Sequence, residues 1–448
     1  MPKSNKREIR LQHADLRRRS HVPMPEIAEI RQELMSQLTP AMFAQARAGH
    51  SHLNLRDRVL NLPVMCAIVL SLVWRQIPSL SELLRVLAKE DLLWVESMKV
   101  SVEALSKRFR KLPSELFASL FQQMVAVSSA EPLVLSPEEA KSPLGLLQKI
   151  YTVIWIADGS TLEQLRKTSI ALRQSDGAVL GGKMLVLVDA LRHSPKAAFY
   201  QTDAAINDKQ FAQQMLEALP QGGLLVLDAG FFSFPLFDSF TDAGKFFVTR
   251  MRNKTAFTTI TVLSEGARFR DEIIEMGLYR SNPCRHRVRM ISVLWGTTWY
   301  RYITNELDPE RLSAQQVAVL YRTRWRIEEA FLLCKRLLGL AYLWVGSSNG
   351  IEIQIYATLI FYSVLTKLCH QLATALDQPL ERISVEMVFR SLYHYSREVQ
   401  RNPDAQLIPF LCENAKLFAL VKTLRKRTTE KDKILDEIWN PDLKPTVS

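Results

Sequence analysis

Apolar positions along the chain follow two rhythms, and the change from one to the other divides it. From about residue 26 to 130 they recur at three- and four-residue steps, the repeat of helices with one buried face. SLSELLRVLAKE (79–90) and SVEALSKRFRKLP (101–113) carry the pattern, with Ser79 or Ser81 and Ser101 placed as N-caps. PEEAKSPLG (137–145) predicts a linker. After it, short apolar runs take over: YTVIWIADG (151–159), KMLVLVDAL (183–191), AFYQTDA (198–204), GLLVLDAG (223–230) and KFFVTRM (245–251) predict strands. NDKQFAQQMLEALP (207–220) and FSFPLFDSFTDAG (232–244) predict helices between the last three. Three consecutive strands followed by alternating helix and strand imply an α/β fold, a mixed sheet with helices on its faces. Residues 252–305 break the alternation with FTTITVL, RVRMISVLW and TWYRYITN around a charged middle, which predicts a β-rich insertion. Helices resume at Ser313 and run nearly to the C-terminus.

Composition narrows the function. With 448 residues, 47% hydrophobic and 23% charged, the chain is neither disordered nor collagen-like. Its 58 Lys and Arg outweigh 46 Asp and Glu for a formal charge of +12, which favours a polyanionic partner, nucleic acid or an anionic membrane surface. Part of the excess lies in residues 1–20, where seven Lys and Arg face two acids and predict a basic arm. Lys107, Arg108, Arg110 and Lys111 crowd a short helix. They resemble those of a helix-turn-helix DNA reader, though sequence alone favours the solvated basic face of an ordinary bundle. Five scattered cysteines without a CxxC pair read as reduced intracellular thiols and not as a zinc site. No apolar leader opens the chain, and LPVMCAIVLSLVW (62–74), at 13 residues, is too short to span a bilayer. A cytoplasmic protein is expected.

Candidate chemistry rests on acids. Asp158 and Asp228 each close an apolar strand, where neighbouring carboxylates can meet at one site. Such an Asp is also a common turn former, and Asp189, Asp203 and Asp208 are rivals in the same sheet region. In LYRTRWRIEEAFLLCKRLLGL (320–340), a helical step of about 100° puts Tyr321, Arg324, Glu328 and Lys335 on one stripe. Ile327, Ala330, Leu333, Leu337 and Leu338 fall on the far side, and Glu329 points away. A carboxylate flanked by a phenol, a guanidinium and an ammonium suits phosphates held around a metal-binding acid. The eight histidines, His193 and His286 among them, form no usable pattern.

Tyr321-x2-Arg324-x3-Glu328-x6-Lys335 resembles the Tyr-Arg-Glu-Lys signature of DDE transposases from bacterial insertion sequences. LYRTRWRIEEAF is similar to the family's context for the Glu, Asp158-Gly159-Ser160-Thr161 to that of the first Asp, and VLDAGFF to that of the second. The resemblance covers roughly 150–370. It implies a ribonuclease-H-like mixed sheet at 148–251 and 310–372, interrupted by a β-rich insertion at 252–309. A basic arm (1–25) and an all-α DNA-binding region (26–135) would precede it, and C-terminal helices (373–448) would follow. It further implies Asp158, Asp228 and Glu328 as catalytic ligands of two Mg²⁺ ions, with Mn²⁺ able to substitute, and Tyr321, Arg324 and Lys335 as phosphate-binding residues. Trp295 or Trp299, which period two would put on one face, is a candidate to stack a flipped base. The implied partners are terminal inverted repeats and target DNA, bound by a homodimer at the bacterial nucleoid and away from membranes. An inactive relative acting as a repressor is the alternative; a plain Mg²⁺ nuclease would not need the stripe.

Overall fold

A computed structural model describes residues 23–53, 58–133, 135–163, 180–340 and 343–423. The basic arm lies outside them except for its last three residues, as does the C-terminal region beyond 423. The chain forms two units, one of Met1–Ala126, Cys334–Val364 and Phe389–Leu407, the other of Val127–Leu333, Leu365–Val388 and Ile408–Ser448.

Helices α1 (Ala28–Gln37), α2 (Pro40–Gly49), α3 (Leu62–Trp74), α4 (Leu80–Leu87), α5 (Val102–Lys111) and α6 (Glu115–Ala130) come first among the described residues. α3 is buried on every face, which is why its 13 residues carry no polar stripe. Ser79 and Ser101 cap α4 and α5 as expected, accepting from the Glu82 and Ala104 amides. Residues 88–101 separate the two helices and include a bridge between Leu92 and Val95. A helix-turn-helix needs a turn of about three or four residues, so α4 and α5 do not form one. The expected linker at 137–145 is instead largely helical. It holds two short helices, α7 (Pro137–Lys141) and α8 (Pro143–Leu147), because Ser136 and Ser142 cap them and each is followed by proline at the first helical position.

Strands β1 (Ile154–Glu163), β2 (Leu180–Asp189) and β3 (Pro195–Gln201) form an antiparallel meander. Helix α9 (Ala212–Ala218) leads to β4 (Leu224–Leu227), and α10 (Phe234–Asp242) to β5 (Phe246–Arg250). β4 lies parallel to both β1 and β5. Four further strands, β6 (Phe257–Gly266), β7 (Phe269–Met276), β8 (Val288–Trp295) and β9 (Thr298–Thr304), pair antiparallel and join through β9 to β5. The result is one nine-stranded mixed sheet, ordered β3-β2-β1-β4-β5-β9-β8-β7-β6. Odd-numbered side chains of its centre (Trp155, Ala157, Leu225, Leu227, Phe247) pack with Met215, Phe237 and Phe240 of α9 and α10. Even-numbered ones (Ile156, Val226) are buried as well, so the central strands are covered on both faces and read as unbroken apolar runs.

Helices α11 (Ala314–Thr323) and α12 (Trp325–Leu332) follow, then a π turn at Leu333–Leu337. The last among the described residues are α13 (Ser348–Ala375), α14 (Val385–Arg401) and α15 (Leu407–Glu413). α13 is long and apolar enough to cross a membrane, yet 83% of its apolar window is buried within the protein, as in a core helix. Buried polar residues interrupt its apolar run: Gln354, for example, donates to the Gly339 carbonyl and accepts from the Trp344 amide.

Candidate active site

The parallel ladder between β1 and β4 ends with Ala157 opposite Leu227. The next residue on each side is an aspartate, so register alone brings Asp158 and Asp228 level. Side-chain alternation does the rest: both are even-numbered and project from the face opposite α9 and α10. β1 does not stop at Asp158, as the sequence pattern suggested. It runs on to Glu163 because β2 continues to pair with it, with Asp158 opposite Val186. Asp158 Oδ1 accepts from the Gly159 amide and Asp228 Oδ2 from the Gly230 amide, each at 2.9 Å, which fixes both carboxyl groups.

Arg324, at the junction of α11 and α12, points into this corner and is only 9% exposed. Its Nη1 lies 2.9 Å from Glu328 Oε1 and 3.5 Å from Asp158 Oδ2, and its Nε lies 3.5 Å from Asp228 Oδ1. One guanidinium therefore faces all three acids. Its plane also lies over the Trp325 ring at 5.3 Å and the Tyr321 ring at 6.0 Å. Tyr321 packs on Tyr302, with ring centroids 5.1 Å apart. Burial raises the Asp158 carboxyl to about 6; Asp228 and Glu328 add to the rise, while Arg324 and the Gly159 amide oppose it. Burial and the nearby Asp228 raise the Tyr321 phenol.

The expected stripe holds from Tyr321 to Glu328, and Glu329 does point elsewhere, pairing with Lys422 at 2.7 Å. Lys335 lies beyond the regular helix, in the π turn, where the step of about 100° that put it on the stripe no longer applies. The rival acids sort themselves by position. Asp189 sits opposite Trp155, about 10 Å down β1 from Asp158, and caps a turn through the Leu191 and Arg192 amides. Exposed Asp203 accepts from the Ala205 amide. Asp208 comes nearer: paired with Lys183 at 2.7 Å, it packs so closely on Gly159 that a Cβ there would meet its Oδ1 at 2.4 Å. No pattern in the sequence signals that contact, since Lys183 and Asp208 are joined only by folding.

The expectation that Trp295 and Trp299 share a face fails. A two-residue turn, Gly296 (φ +61°) and Thr297, separates them, with Trp295 opposite Thr298 and Trp299 opposite Leu294. They occupy adjacent strands and opposite faces; Trp299 is 46% exposed and Trp295 half-buried. On α5, Lys107, Arg110 and Lys111 are exposed and Arg108 is half-buried.

Carboxylates are the hard oxygen donors that Mg²⁺ or Mn²⁺ takes. Among the described residues, however, no group of three or more His, Cys, Asp or Glu side chains is arranged to hold an ion as it stands. Here the acids surround a guanidinium instead.

Residues 154–364 match the family model described as the transposase DDE domain. It is 25% identical over 201 residues to an inferred transposase, y4zB, of Sinorhizobium fredii, covering 43% of this chain and 54% of that protein. It is 23% identical over 203 residues to an inferred transposase for insertion sequence element IS4SA of Synechocystis sp., covering 43% of this chain and 56% of that protein. The chain thus spans about half the length of the curated relatives it matches. Among solved structures, the piggyBac transposase in its synaptic complex with hairpin DNA is similar at 10% identity and a TM-score of 0.40, over 92% of this chain and 91% of that one.

Proposed function

We propose that this chain is the transposase of a bacterial insertion sequence, cutting DNA at the element's terminal inverted repeats and joining the ends to target DNA. The carrying observation is the meeting of Asp158 and Asp228 at the end of the β1–β4 ladder, with Glu328 brought to them across Arg324. In this reading β1–β5, with their antiparallel second and third strands, are a ribonuclease-H-like core at 148–251 and 310–372. β6–β9 are the insertion of 252–309, residues 26–135 the DNA-binding region, and 373–448 the C-terminal helical region. Tyr321, Arg324 and Lys335 hold phosphates, the mark of the Tyr-Arg-Glu-Lys subgroup, and a homodimer holds paired ends in the bacterial cytoplasm. Trp299, the more exposed of the pair, is the better candidate to stack a base.

Asp158, Asp228 and Glu328 would hold two divalent ions, Mg²⁺ or Mn²⁺, which supply a nucleophile at neutral pH and charge for the leaving oxygen. The chain itself positions and neutralises: the short amide contacts fix two carboxyl groups, and basic residues bind the DNA in line. The test begins with the DNA flanking the gene. Short imperfect inverted repeats should border it, and the protein with Mg²⁺ should nick a fragment carrying them at the repeat ends. Binding without any cutting would establish the alternative, an inactive repressor.

A second expectation concerns affinity. Replacing Lys107, Arg108, Arg110 and Lys111 together with alanine should weaken end binding and flatten its dependence on log salt by up to about 3.6, at ~0.9 per phosphate contact. Gel-shift titration between low and physiological salt reads both, and an unchanged slope removes α5 from the DNA interface.

A further inference from the structure

Arg324 presents a problem that phosphate binding does not resolve. It is nine-tenths buried, faces all three acids, and its Nε has no hydrogen-bond partner. The contact to Glu328 is a short hydrogen bond, that to Asp158 a long one at 3.5 Å, and that to Asp228, also at 3.5 Å, is an ion pair without a hydrogen bond. Three carboxylates at this spacing repel one another, and the guanidinium supplies the positive charge that lets them converge. A divalent ion would need the same oxygen atoms, and the two cannot hold them together. Nor can the guanidinium leave by losing its proton, because it stays charged at any accessible pH. Only movement of the side chain opens the site.

We propose that Arg324 is an internal counter-ion that excludes divalent cations from the acid cluster until a DNA phosphate draws it away. This rests on the transposase reading for the identity of the polyanion, though not for the exclusion itself. A phosphate is a strong competitor for the arginine because it can take two parallel N–H bonds. The Arg324 amide bonds back to the Tyr321 carbonyl and the Ile327 amide to the Arg324 carbonyl, a tightened turn that breaks the regular helix at this residue. DNA binding and cation binding then become linked, and each strengthens the other by the same factor. An enzyme so built holds its metal ions weakly away from DNA.

Titrating Mn²⁺ into the DNA-free protein, with the free ion followed by electron paramagnetic resonance, tests this without any cleavage. Arg324→Gln should bind Mn²⁺ about 5- to 150-fold more tightly than the native chain, the usual range of such couplings. The gain should vanish in Arg324→Gln/Asp228→Asn. A control is Arg250→Gln, which removes a neighbouring charge that reaches Tyr321 but contacts none of the acids. It should leave Mn²⁺ affinity unchanged. An equal gain in the control, no gain in Arg324→Gln, or a gain that survives the double substitution overturns the proposal. The native chain provides an arm that needs no variant: a fragment carrying the element's end should raise its Mn²⁺ affinity, and should do so less in Arg324→Gln. No rise overturns the coupling. Failure of the two readings is distinguishable. Lost cleavage with unchanged Mn²⁺ affinity in Arg324→Gln removes the counter-ion and leaves the transposase, whereas a Mn²⁺ gain in a protein that never cuts end DNA does the reverse.

Discussion

Alanine at Asp158, Asp228 or Glu328 should reduce cleavage of end-containing DNA by at least ~10³-fold while leaving binding of the same fragment within a few-fold. Each substitution removes a carboxylate from the site, and a metal-assisted step that loses about 4 kcal/mol of charge stabilisation slows by about that factor. Binding should survive, because on the proposed function affinity would come from many basic contacts spread over the protein. Nicking and gel-shift assays on one fragment separate the two effects. Glu329→Ala is the control, since its carboxylate pairs with Lys422 and contacts none of the three acids. Near-normal cleavage by any of the three variants would falsify the assignment. If Asp228→Ala cut normally and Asp189→Ala did not, the second ligand would have to be Asp189, at the end of β2 opposite Trp155, and the site would lie away from this corner.

Much of that corner was legible in the sequence, and particular residues explain where legibility ended. Asp158, Asp228 and Glu328 could be picked out because each stands in a strongly patterned segment: two buried strands and an amphipathic helix. Which carboxylates meet was not legible. Asp189 follows LVLV much as Asp228 follows LLVL, and only pairing separates them: β2 runs antiparallel to β1 and carries Asp189 away, while β4 runs parallel and carries Asp228 alongside. Local turns were harder still. Period two assumes an unbroken strand, and Gly296 with its positive φ turns the chain between the two tryptophans. The step of about 100° assumes a regular helix, and the π turn at Leu333–Leu337 takes Lys335 out of it. β7 carries no strand pattern at all. Its sequence, FRDEIIEM, carries four charged residues in eight and reads as solvated, yet Asp271 and Glu272 are buried. What makes it a strand is a partner 18 residues further on.

That partner is Arg289, and its removal should have the largest effect on stability. Arg289 on β8 is fully buried, and Asp271 on β7 is 2% exposed. Two parallel bonds join them, Nε to Oδ1 at 2.8 Å and Nη2 to Oδ2 at 2.5 Å. The third nitrogen, Nη1, donates to the Leu312 carbonyl, immediately before the Ser313 cap of α11. The pair thus ties strands β7 and β8 to the lead-in of the helix that carries Tyr321. Arg289→Ala should cost about 3–5 kcal/mol, because it leaves Asp271 charged and unpaired in the interior and the Leu312 carbonyl without its donor. Asp271→Ala should cost a similar amount for the opposite reason, a buried guanidinium without its acid. Replacing both with apolar residues of similar size, Arg289→Met with Asp271→Leu, should recover most of the loss, since two desolvated charges are then removed together. Urea unfolding of the four proteins measures this directly. A double variant as unstable as the sum of the singles would mean that the two side chains act independently, and would overturn the account of each loss as a partner left unpaired.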